Sequence, residues 1–104
     1  LSAALTLRQI PLLADVERLA TAGYITGASA RNWMAYGNDV RLDAAITETQ
    51  RALLTDPQTS GGLLVACEQG AADEVLSIFR SEGFAAAAII GGLEAGPAQV
   101  RVAA

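Results

Sequence analysis

Apolar residues along this chain recur in two patterns, one helical and one continuous. Leu12, Leu13, Val16, Leu19 and Ala20 fall on one helical face, leaving Asp15, Glu17 and Arg18 free to face water. Pro11 suits the first turn of that helix, and Gly23 suits a left-handed cap at its end. A second helix is expected from Asp43, as the capping residue, through Leu54, with Ile46, Thr49 and Leu53 inward. Asp56-Pro57 stops it, because the residue before proline is pushed out of the α region. Ala72, Val75, Leu76 and Phe79 mark a third helix that ends at Gly83, and Asp73-Glu74 suit the positive end of its dipole.

The remaining apolar runs read as strands. Leu63-Leu64-Val65-Ala66-Cys67 and Ala85–Ile90 are short and continuously apolar, the pattern of buried strands. Thr6–Ile10 follows Leu5 in near alternation, Val40-Arg41-Leu42 forms a short strand, and Gln99–Val102 alternates as a half-exposed one. Tyr24–Asp39 is rich in Gly, Ser and Asn with no clean period, so it is expected to be a long loop. Strands between amphipathic helices predict a layered α/β (α+β) domain, with helices packed on a mixed sheet.

Length and composition narrow the function. At 104 residues the chain has room for one domain, residues 1–104, and a folded chain of this size is expected to bury roughly 65% of its unfolded surface. The longest apolar stretch, Phe84–Ile90, is far short of the ~20 residues that span a bilayer. The first residues carry no basic flank of a signal peptide and no initiator Met, so the chain reads as a piece of a longer protein. All seven basic residues are Arg, and there is no His. That removes Ser-His and Cys-His dyads, the usual His-containing zinc sites, Schiff-base chemistry and the Walker A lysine. A lone cysteine, Cys67, forbids an internal disulfide and fits a cytoplasmic protein. A net charge of −4 argues against nucleic acid as a partner.

The most informative stretch is Asp56-Pro57-Gln58-Thr59-Ser60-Gly61-Gly62-Leu63-Leu64. Pro57 stiffens the entry, Thr59 and Ser60 offer hydroxyls, and Gly61-Gly62 can take positive φ where the backbone approaches a partner. Successive N–H groups in such a turn can form an anion-binding concavity. The plainer reading is a tight turn whose glycines serve packing.

This run resembles the signature of the selenophosphate synthetase family in its C-terminal domain. Gly27 followed by Arg31-Asn32 resembles a Gly-Thr-Arg-Arg-Asn-like loop of that family. Ala88-Ile89-Ile90-Gly91 resembles the Ile-Gly turn shared by a wider superfamily, which includes aminoimidazole ribonucleotide synthetase and thiamine monophosphate kinase. The resemblance implies an enzyme that uses ATP, Mg²⁺ and water to convert selenide to selenophosphate, AMP and phosphate, for selenocysteine and modified tRNA. It also implies that the ATP and metal ligands, the essential Lys and the reactive Cys or selenocysteine belong to an N-terminal domain. That ATP-binding domain is the expected partner, in a homodimeric parent. This chain alone is expected to fold, to be inactive and to hold no cofactor.

The candidate residues facing phosphate or the other domain are therefore Arg31, Asn32, Asp56, Gln58, Thr59, Ser60, Gly61 and Gly62. Arg is the better fork for phosphate, and the two segments are expected to converge at one edge of the sheet. Each has a plainer role: Arg31-Asn32 as a solvated loop, and Asp56 as a turn former or cap. Cys67, inside an expected buried strand, reads as core. Trp33, Met34 and Tyr36 fit packing onto another domain or back onto this one. A stand-alone metabolite-binding or regulatory module, or the equivalent domain of a sister enzyme, are the alternative readings.

Overall fold

The computed structural model describes all of residues 1–104. Its scaffold is a four-stranded mixed sheet built from β1 (Ser2–Thr6), β2 (Val40–Leu42), β3 (Gly91–Glu94) and β4 (Gln99–Ala103), in the order β2-β4-β1-β3. β4 runs parallel to both β1 and β2, and β3 runs antiparallel to β1. The register sorts side chains by face, because successive residues of a strand point to opposite sides. Ala3 sits opposite Val100 and Leu93, while Val100 and Val102 sit opposite Val40 and Leu42. These make one apolar face. Ser2, Glu94, Gln99, Arg41 and Arg101 share the other, where Arg101 reaches across β1 to pair with Glu94.

Four helices complete the fold: α1 (Val16–Thr21), α2 (Gly27–Tyr36), α3 (Glu48–Leu54) and α4 (Ala72–Ser81). α4 follows the expected spacing, and Gly23 and Gly83 take φ of +94° and +93° just past the ends of α1 and α4. These are positions where a side chain would be strained. A Cβ on Gly91 would stand 2.8 Å from the Leu5 Cα and would strike the Ala4 carbonyl, so glycine permits the β1–β3 approach.

Several expectations are corrected. Tyr24–Asp39 is not a long loop, since its centre is α2, whose sequence GASARNWMAY carries no apolar stripe to advertise a helix. The first helix begins at Val16 rather than near Leu12. The second begins at Glu48, because Thr47 caps it through Gln50 N at 3.2 Å, with the Gln50 side chain answering Thr47 N at 2.9 Å. Asp43 instead accepts from Ala45 N at 2.8 Å in a local turn. The N-terminal strand is Ser2–Thr6, and Leu7–Gln9 closes a 3-10 turn where a strand was expected. Gly91–Glu94 pairs as a strand that its glycines conceal.

The largest correction concerns the two continuous apolar runs. Neither Leu63–Cys67 nor Ala85–Ile90 forms a strand, and Leu63 and Leu64 are 83% and 81% exposed. Cys67 is exposed as well, not packed in a core. Only Ala20 and Val102 among apolar residues are buried. The chain exposes 7713 Å², so by size scaling it buries about half of its unfolded surface rather than the expected two thirds. A run apolar on both faces specifies burial, but burial requires a neighbour on each face. Here neither run has a strand beside it, and the burial falls short of the expected share.

Candidate functional site

The candidate site gathers at the junction of α2 and α3. Thr26 precedes α2 in extended conformation, and its hydroxyl lies 3.4 Å from both the Ser29 hydroxyl and an Asp56 carboxylate oxygen. Ser29 N donates to Thr26 O at 3.1 Å, and Ser29 is buried. Asp56 therefore places a half-buried negative charge beside the N-terminal end of α2, the favourable end of the helix dipole for an anion. Six residues into α2, Asn32 donates its side-chain amide to the Thr55 carbonyl at 2.8 Å. That carbonyl sits at the C-terminal end of α3, where helical partners run out.

Two segments more than twenty residues apart are thus fastened at their roots, Thr26 to Asp56 and Asn32 to Thr55. Arg31-Asn32 lies within α2, and Asp56–Gly62 follows the end of α3. Asn32 and Asp56 are the anchoring members of the expected set. Arg31, Gln58, Thr59 and Ser60 are exposed, and no hydrogen bond or ion pair joins Arg31 to Thr59 or Ser60. Gly61 and Gly62 do not take positive φ, so that reason for glycine is removed. At Gly61 a different constraint applies, because an added Cβ would stand 3.3 Å from the Gln58 Cβ. The tight turn over Thr59-Ser60 folds the Gln58 side chain back over Gly61.

Thr26 and Thr55 were not singled out by sequence. The signal for Thr26 was present, because Thr is among the residues favoured at the position just before a helix. The signal for Thr55 was not, since its contribution is a backbone carbonyl.

Beside the junction, Trp33 of α2 and Arg51 of α3 meet, with the guanidinium carbon 5.1 Å from the ring centroid. They line a shallow cleft of about 310 Å³ with Val40, Leu42, Ile46 and Glu48. Trp33 thereby packs on its own chain, whereas Met34 and Tyr36 stay exposed. No three His, Cys, Asp or Glu side chains come together at metal-binding distance, and no helix is long and apolar enough to cross a membrane. Chemically, the arrangement presents the Arg31 guanidinium on α2, and the Gln58 amide and the Thr59 and Ser60 hydroxyls in the turn after α3, with no nucleophile–base pair.

The family model for AIR synthase related protein, C-terminal domain, matches residues 7–103. A protein of Pseudomonas straminea described as "Selenide, water dikinase" is 52% identical over 102 residues, covering 98% of this chain and 29% of its own length. Proteins with the same description are 57% identical over 94 residues in Burkholderia orbicola (strain MC0-3) and 49% over 102 residues in Rhizobium meliloti (strain 1021). The chain spans under a third of the length of these relatives.

Proposed function

Because the chain belongs to the family of AIR synthase related proteins, as their C-terminal domain, we propose that it is the C-terminal part of a selenide, water dikinase. The parent enzyme would use ATP, selenide and water to make selenophosphate, AMP and phosphate, serving selenocysteine and modified tRNA synthesis in the cytoplasm. The observation that carries the reading is the run Asp56–Leu64, which starts from the α2–α3 junction at Asp56, in a chain 52% identical to such a protein over 98% of its length.

Within that enzyme the chain's part is positioning. Phosphoryl transfer is catalysed mainly by placing and neutralising charged oxygens, which takes cations and metal-binding carboxylates. This chain has no Lys, no His and no grouped carboxylates. The residues present do not fit a Mg²⁺ site. ATP, Mg²⁺ and the reacting selenium are assigned to the N-terminal ATP-binding domain, in a homodimeric parent. Arg31, Gln58, Thr59 and Ser60 supply the exposed donors that face that domain's phosphates, with Gly61 and Gly62 completing the turn. A guanidinium and hydroxyls suit phosphate oxygens, and the bonds are stronger where charge assists them. Asn32 and Asp56 hold the two segments at the roots.

Phosphorus NMR of the full-length enzyme given ATP and selenide tests this. A selenophosphate resonance rising together with AMP is the expected result, and ATP consumption independent of selenide would overturn the proposal.

A further inference from the structure

Neighbouring residues of α2, Asn32 and Trp33, grip residues one helical turn apart at the end of α3. The Asn32 amide holds the Thr55 carbonyl at 2.8 Å, and the Trp33 ring receives the Arg51 guanidinium. Main-chain bonds close the circuit, because Thr55 donates to the Arg51 carbonyl from its N at 3.2 Å and from its Oγ1 at 3.0 Å. Asp56, the next residue along, meets the Thr26 hydroxyl.

Trp33 is itself seated by a glycine. Gly37 has φ −61°, a right-handed helical conformation open to any residue, so backbone freedom does not explain it. A Cβ there would stand 2.9 Å from Cε2 of the Trp33 ring. The glycine makes room for the ring, and the ring holds the Arg51 guanidinium carbon at 5.1 Å, inside the roughly 6 Å reach of cation–π attraction. The carboxylate near Arg51, Glu48 at 3.5 Å, is 90% exposed and contributes little to holding it.

The free donors lie on either side of this clamp. Arg31 precedes Asn32, and its guanidinium folds back along α2, where a Cβ on Gly27 would stand 3.7 Å from Nη1. Gln58, Thr59 and Ser60 follow closely after Asp56. A change in the angle between α2 and α3 therefore moves the Thr59 and Ser60 hydroxyls relative to Arg31. We infer that Trp33, Arg51 and Gly37 are positioning residues: the ring–guanidinium contact sets that angle, and through it where the two hydroxyls meet phosphate. The inference rests on the proposed function. A displacement of about 1 Å far from the chemistry is enough to cost up to about a hundredfold in rate.

Selenide-dependent AMP formation by the full-length enzyme tests this, with Arg51→Met, Arg51→Lys and Gly37→Ala each made alone and in a Thr59→Ala/Ser60→Ala background. Arg51→Met and Gly37→Ala are expected to lower kcat/KM about fivefold with the hydroxyls present and less than about twofold without them, because a positioning residue acts only through what it positions. Arg51→Lys keeps a cation on the ring and should recover most of the loss. A merely structural role gives the same loss in both backgrounds. Losses that multiply in full overturn the inference, as do equal rates for Arg51→Met and Arg51→Lys, or wild-type rates throughout. An unsubstituted enzyme that forms no AMP in response to selenide defeats the enzyme reading and this inference with it. Activity with fully multiplying losses defeats the positioning alone.

Discussion

Asn32 and Thr55 are joined by one hydrogen bond, 2.8 Å from the Asn32 amide to the Thr55 carbonyl, which fastens the middle of α2 to the end of α3. The bond fixes where Asp56 begins and therefore where the polar turn behind it points. A half-buried side-chain hydrogen bond contributes about 1 kcal/mol. Asn32→Leu in the full-length protein is expected to lower stability by about that amount, measured by urea titration. Asn32→Asp should cost more, because a carboxylate oxygen would then face the carbonyl. Equal midpoints for all three proteins would show that the junction is not held this way.

Gly91 and Gly92 are adjacent glycines with opposite surroundings. A Cβ at Gly91 meets the β1 backbone, while one at Gly92 meets nothing within 4 Å. Gly91→Ala is expected to cost about 1–3 kcal/mol through overpacking, and Gly92→Ala close to nothing. Thermal melting of the two variants in the full-length protein checks the contrast, and similar losses in both would contradict the β1–β3 approach.

Thr47 and Gln50 cap α3 reciprocally. Thr47→Ala is expected to lose about 1 kcal/mol, with Thr47→Ser recovering most of it. If Ser and Ala behave alike in a denaturant titration, the hydroxyl is not the cap.

The isolated 104-residue chain is expected to melt without a sharp cooperative transition and to bind a hydrophobic dye. The reason is that Ala20 and Val102 are its only buried apolar residues. A narrow calorimetric transition with no dye binding would show that the chain makes a sufficient core alone.

Much of the scaffold was legible from residue spacing. α4 follows from Ala72, Val75, Leu76 and Phe79, and β2 and β4 from their short apolar alternations. Helix α2 was hidden, because Gly27, Ala28, Ser29 and Ala30 give no apolar stripe and the helix is held by Asn32 and Thr26 instead. Leu63–Cys67 was misjudged for a physical reason. Sequence pattern states what a segment requires, and no strand of the sheet pairs with Leu63–Cys67 here. The candidate site was legible as a composition, in Arg31-Asn32 and Gln58–Gly62. Its division into anchors and free donors was not, because that depends on the Thr55 carbonyl.

The central claim is that the exposed donors of this chain serve phosphoryl transfer in the full-length enzyme, and selenide-dependent AMP formation by the Thr59→Ala/Ser60→Ala double variant tests it most directly. The account predicts a fall in kcat/KM of about tenfold or more, the scale of losing one or two hydrogen bonds to charged oxygens, with melting temperature unchanged because both hydroxyls are exposed. Wild-type turnover in the double variant would contradict it.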